Sequence, residues 1–169
     1  MIGRLWYPQL DVYDAIRRIA GLLALWNAGS LPSKERLHVA DFYLANPPLL
    51  YKTHMMQEVR REFYQLNIKR PEKIFISYPS APLLFQKMGE VQRQALRTII
   101  GKGLIDLPSL ERGIVAPSPL GRNFFDSNLL ALLNDNECRL ADFLANSFAT
   151  SEQKISDIRR NTGLRRVSR

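Results

Sequence analysis

The chain has 169 residues, 46% of them hydrophobic, enough for one core and a small helical appendage. Its 24 lysines and arginines against 16 acids leave a net charge of +8, which favours an anionic partner, whether nucleic acid or an acidic protein surface. The longest apolar run, residues 19–26, falls far short of the roughly 20 residues a membrane helix needs, and residues 1–8 lack a secretory signal, so a cytoplasmic protein with no membrane partner is expected.

In chain order, the first predicted helix covers 12–28, with Asp11 as cap and Val12, Ala15, Ile16, Ile19, Leu22, Leu23 and Trp26 as its buried stripe. A second starts near Pro32 and stops before Pro47 and Pro48. It is apolar on more than one side, which predicts a central position. A third, over 54–66, sets Met55, Val59, Phe63 and Leu66 against Glu58, Arg60, Arg61 and Glu62. Residues 69–82 are irregular, with Pro71, Pro79 and Pro82 framing a β-prone run at 74–78.

Residues 88–125 read as a winged-helix unit. Val91, Ala95, Leu96, Ile99 and Ile100 make an apolar helix face, and Gly101 to Gly103 stop the helix. Leu104 and Ile105 are expected to enter a short β-hairpin, to turn at Glu111 to Gly113, and to pair back through Ile114 and Val115 before Leu120 to Arg122 lead into the next helix. Residues 128–147 then carry leucine-rich helix, broken near Asn134 to Glu137. A last helix opens at Thr150, where Thr150 and Gln153 fit a capping box, and ends near Gly163. The fold class is therefore mainly α: a winged-helix module with flanking helices and a short β-hairpin. Residues 1–150 form a single domain and 151–169 a C-terminal helix and basic tail.

Catalytic signatures are missing: the sequence holds no phosphate-binding loop, dinucleotide fingerprint, nucleophile elbow or His-Glu-x-x-His pair. His38 and Asp41 share a helix face and His54 is the only other histidine, a poor metal set; a satisfied surface or interface histidine is the better reading. Glu152 and Lys154 lack the upstream acid a nuclease site requires. Cys138, the one cysteine, reads as a plain buried or half-buried thiol with neither disulfide nor zinc role. No catalytic residue, cofactor or metal ligand is assigned.

The basic residues carry the candidate nucleic-acid contacts. Arg93 and Arg97 lie on one helical face, with Gln92 and Gln94 beside them and Glu90 one turn earlier, which is compatible with base reading and better read as a solvated, internally paired face. Lys102, Arg112 and Arg122 bracket the expected wing, within reach of phosphates or simply solvated. Residues 152–169 hold six cations, including Arg159, Arg160, Arg165 and Arg166, against two acids, a net +4 and half the total excess. Trp6, Tyr7, Phe75, Tyr78, Leu83, Leu84 and Phe85 sit in proline-broken segments that cannot bury them all, and are expected at a protein interface.

Four segments together resemble a known family: the start Tyr7-Pro-x-Leu-Asp-x-Tyr-Asp, the helix Arg36-Leu-His-Val-Ala-Asp41-Phe-Tyr-Leu-Ala-Asn-Pro-Pro48, the stretch from Met88-Gly-Glu-Val-Gln-Arg93 to Asp106, and the closing Thr162-Gly-Leu. Their joint order resembles the small middle components of bacterial ABC three-component systems, the group that includes the accessory subunit of Lamassu-type defence. The resemblance implies a non-catalytic adaptor between an SMC-like ATPase and an effector, often a nuclease, in a complex acting on phage or plasmid DNA. It transfers no catalytic residue. The competing expectation is a free-standing winged-helix DNA-binding transcriptional regulator, which would dimerise on two-fold related half-sites.

Overall fold

Asp11 opens the first helix as its residue type predicts: its carboxylate accepts from the backbone N–H of Asp14 at 2.9 Å, supplying one of the orphan donors of the first turn. In the computed structural model, which describes residues 7–71, 80–150 and 153–165, helix α1 spans Val12–Leu25. It ends before the expected 28, because Trp26 turns into the core and its indole N–H donates to the Ser30 carbonyl at 2.9 Å. Helix α2, Lys34–Ala45, is capped by Ser33 and has no solvent face along its centre: every residue from Leu37 to Leu44 is buried. The central position expected for it is observed. Helix α3, Gln57–Gln65, buries Phe63, which meets Tyr51 edge-on at 4.8 Å.

Helix α4, Ala81–Gly101, is the longest of the described elements and packs against α1 and α2. Its start corrects the sequence reading. Pro82 falls in the first turn, where the missing N–H breaks no hydrogen bond, so the segment read as proline-broken is regular helix. Leu84 is consequently half-buried and Phe85 fully buried against Phe42, at 5.5 Å between ring centroids, rather than at a surface.

Residues 102–118 also differ from expectation. No hairpin of paired strands forms among the described residues; a single isolated antiparallel bridge joins Ile105 to Pro117. Between them Asp106 caps a short helix α5, Leu107–Glu111, its carboxylate accepting from both the hydroxyl and the N–H of Ser109. Val115, expected to pair back across the hairpin, donates its N–H to the Pro32 carbonyl instead. A cap-forming Asp106 followed by Leu107-Pro108 favours helix initiation over extended pairing. Helix α6, Pro119–Phe124, then seats on Gly103 and Leu104, just after α4. Its Gly121 lies so close to Leu104 that a Cβ there would come within 1.9 Å of the Leu104 carbonyl oxygen, and the Ser118 hydroxyl donates to the Gly103 carbonyl at 2.7 Å.

After a π-helical turn, Phe125–Leu129, that packs on α1, helix α7 covers Asp135–Phe143. Asn134 and Glu137 form its capping box, so the polar patch expected to interrupt the leucine-rich stretch is an N-terminus. Arg17 of α1 clamps the same Glu137 through two 2.9 Å contacts. Helix α8 spans Ile155–Thr162, with Lys154 at its cap position rather than Thr150. Gly163 closes it in the left-handed conformation (φ 71°), and its Ile158 and Leu164 join the main core. The phenol of Tyr43 in α2 is hydrogen-bonded to Thr162, and burial pushes its pKa well above the ordinary tyrosine value.

One buried polar cluster ties α1, α2 and α4 together. Arg18 Nε donates to Asp41 Oδ1 at 2.7 Å, and Arg18 also contacts Asp14. Gln92 Nε2 donates to Asp41 Oδ2 at 2.8 Å and to the His38 carbonyl at 2.9 Å. Such a cluster is tolerated because each charge is met; removing one partner would leave the other charge desolvated. It fixes the rotation of α4 about its own axis, and so decides which of its side chains face outward.

Candidate nucleic-acid and protein interfaces

The helical repeat and the Gln92 anchor divide α4 into two faces. Phe85, Met88, Gln92, Ala95, Leu96 and Ile99 point inward. Lys87, Glu90, Arg93, Gln94 and Arg97 are exposed on the opposite side, and Lys102 caps the end. At about 100° per residue these helix positions fall within an arc of about 120°. The glutamine expected beside Arg93 among base-reading side chains is thus inside: Gln92 is 0% exposed, whereas the Arg93 side chain is 48% exposed.

Within the strip, Arg93 Nη2 donates to Glu90 Oε2 at 2.7 Å. That hydrogen bond, then the one from Gln94 and the charge of Arg93, holds the Glu90 carboxyl below its ordinary pKa. Arg97 and Lys102 make no ion pair among the described residues. Four cations therefore face solvent with one acid among them.

The other predicted basic residues scatter. Arg112 is exposed and donates to the Ser109 hydroxyl at 3.1 Å; Arg122 is exposed on α6. Arg159 is held by both oxygens of Glu35 at 2.6 Å, and Arg160 by Asp157 at 2.8 Å. Arg165 is exposed, and its backbone carbonyl accepts from Gln86 on α4 at 2.5 Å. Arg166 lies outside the described residues, as do Trp6, Phe75, Tyr78 and the β-prone run at 74–78.

Of the expected apolar interface residues, Tyr7 and Leu83 are exposed. The more concentrated apolar surface was not anticipated. Leu107, Ile114, Leu120 and Phe124 are 56%, 38%, 61% and 39% exposed, the first two between the bridged residues Ile105 and Pro117 and the last two on α6 just after them. Leu120 and Phe124, four residues apart, form a ridge along α6. Helical period gave no signal for them: 121 and 124 are three residues apart on one face, yet Gly121 is buried and Phe124 is 39% exposed.

Chemistry is sparse. Among the described residues no group of three histidine, cysteine, aspartate or glutamate side chains could hold a metal ion. His38 is buried rather than at a surface, and the oxygens of Asp41 are taken by Arg18 and Gln92. Cys138 is half-buried, its thiol pushed up by burial and then by Asp135 and Glu137, which disfavours the reactive thiolate. No described helix is long and apolar enough to cross a membrane.

No curated protein and no solved structure matches the chain significantly. The family model of the ABC-three component (ABC-3C) system Middle Component 5 does, over residues 4–166, nearly the whole length. A mainly helical chain with two exposed faces of contrasting chemistry, matched from end to end by that model, belongs to the ABC-3C Middle Component 5 family.

Proposed function

We propose that this middle component is a non-catalytic adaptor that bridges an SMC-like ATPase and an effector, such as a nuclease, in a cytoplasmic complex of the Lamassu type defending bacteria against phage or plasmid DNA. The observation that carries the reading is the exposed apolar corner, Leu107, Ile114, Leu120 and Phe124, in a chain of a multi-component family. Four large apolar side chains left in water within one short stretch are the mark of a surface completed by another protein. In this reading α4, the Ile105–Pro117 bridge and α6 are a winged-helix unit whose wing is replaced by α5. The regulator reading is weaker, because burial of Gln92 removes one of the base-reading side chains it would use.

Co-expressed with the other components of its system, the chain is expected to elute with the ATPase as one stable complex; separate elution at micromolar concentration would contradict the adaptor role. Purified alone, it is expected neither to hydrolyse nucleotide nor to cut DNA. Metal-dependent cleavage that co-purifies with the folded wild-type chain would overturn that expectation.

A further inference from the structure

A cation far away in the sequence, Arg165, joins those of α4 in the fold. The Gln86–Arg165 hydrogen bond brings the C-terminal segment onto the second turn of α4, beside Lys87 and on the face that carries Arg93 and Arg97, while Lys102 stands at the C-cap. From Lys87 to Arg97 the strip runs for about 15 Å at 1.5 Å per residue. Phosphates of one strand advance about 3.4 Å along the duplex axis, so a strip lying parallel to that axis would span about four. Arg159 and Arg160 lie on α8, where they hold Glu35 of α2 and Asp157, and are not part of the strip.

We propose that the outward face of α4, extended by Arg165, is a binding surface for the phosphate backbone of double-stranded DNA. Its makeup favours phosphates over an acidic protein. Beyond Leu83 at its start, the strip from Gln86 to Arg97 exposes only charged and amide side chains. Protein interfaces centre on apolar anchors, which this molecule places on α5 and α6 instead, whereas DNA interfaces are more polar and strongly cationic. Phosphate contact needs only positive charge at the right spacing, so the binding carries no sequence preference. The inference goes beyond the adaptor role: a chain that failed to bind the ATPase could still bind DNA, and the reverse.

The test is fluorescence anisotropy of the full chain with a labelled random-sequence duplex of about 20 base pairs, at about 50 mM and 200 mM salt. With about four phosphates neutralised, affinity falls about 100-fold between the two salts. The variant Lys87→Gln/Arg97→Gln/Lys102→Gln, all at exposed positions, is expected to lower affinity at least about tenfold at the lower salt and to flatten the salt dependence. Lys52→Gln/Arg60→Gln/Arg61→Gln removes the same charge from α3 and the turn before it, and is expected to change affinity less than about twofold. Equal losses in the two variants, no binding at the lower salt, or tight salt-insensitive binding to one sequence would each overturn the proposal. So would displacement of the duplex by polyglutamate as effectively, per charge, as by unlabelled duplex, which would assign the strip to an acidic protein.

Discussion

The outer face of α4 and the corner built from α5 and α6 are adjacent in the chain and opposite in chemistry. The first exposes Lys87, Arg93, Arg97 and Lys102 around a single acid; the second exposes Leu107, Ile114, Leu120 and Phe124. Both are supported by what lies beneath: Gln92 and Asp41 set the rotation of α4, and Gly121 lets α6 sit directly on Leu104. The difference teaches that the fold separates two kinds of surface. A charged strip is indifferent to exact geometry and gains its affinity from released counterions. An apolar corner gains it from desolvation and needs shape.

The largest effect is expected where both faces share a foundation. Asp41→Ala leaves Arg18 buried without its main partner and should cost about 3–5 kcal/mol of unfolding free energy, read by urea denaturation. Both faces should weaken together. A loss of one function with the other intact in this variant would mean that the two faces do not depend on a common frame.

Gly121→Ala should come next, at about 3 kcal/mol, because the added methyl meets backbone rather than a side chain that can swing aside. Partner association should suffer more than DNA affinity, since α6 is displaced while α4 keeps its anchor. Leu120→Glu, at an exposed position, should leave the denaturation midpoint nearly unchanged and weaken association with the ATPase by at least about 2 kcal/mol, some 30-fold, in a calorimetric titration. Unchanged affinity would remove Leu120 from the interface. The smallest effect is expected at Arg159→Gln, which breaks an exposed pair with Glu35 and should cost under about 1 kcal/mol. A larger loss would show that the pair, with the Arg36 contacts to the Thr150 and Gln153 carbonyls, is what docks α8.

Much of the frame was legible in the residues. Asp11 capped α1, Gly163 closed α8, and the all-round apolar character of α2 marked its central place. These features are local or follow from helical period. The errors came where a residue type fits two local structures. Pro82 serves a first helical turn as well as a break, and Asp106 with Pro108 starts a helix inside the stretch read as a hairpin turning at Glu111 to Gly113. Asn134 and Glu137 supplied a true capping box, while Thr150 and Gln153 only matched its spacing. Gln92 looked like its neighbours Arg93 and Gln94, and only the partner positions of Asp41 and the His38 carbonyl show that it faces inward. The basic tail read as one field because charge alone carries no pairing information. The fold divides it into Arg159 and Arg160, held by acids, and Arg165, which joins α4.

The separation of the two faces is tested most directly by photo-crosslinking in the complete complex, with a benzophenone amino acid placed singly at Leu120 or at Gln94. From position 120 the account predicts a covalent adduct with a protein component of the system, and from position 94 an adduct with bound duplex but none with protein. A protein adduct from Gln94 together with none from Leu120 would contradict it.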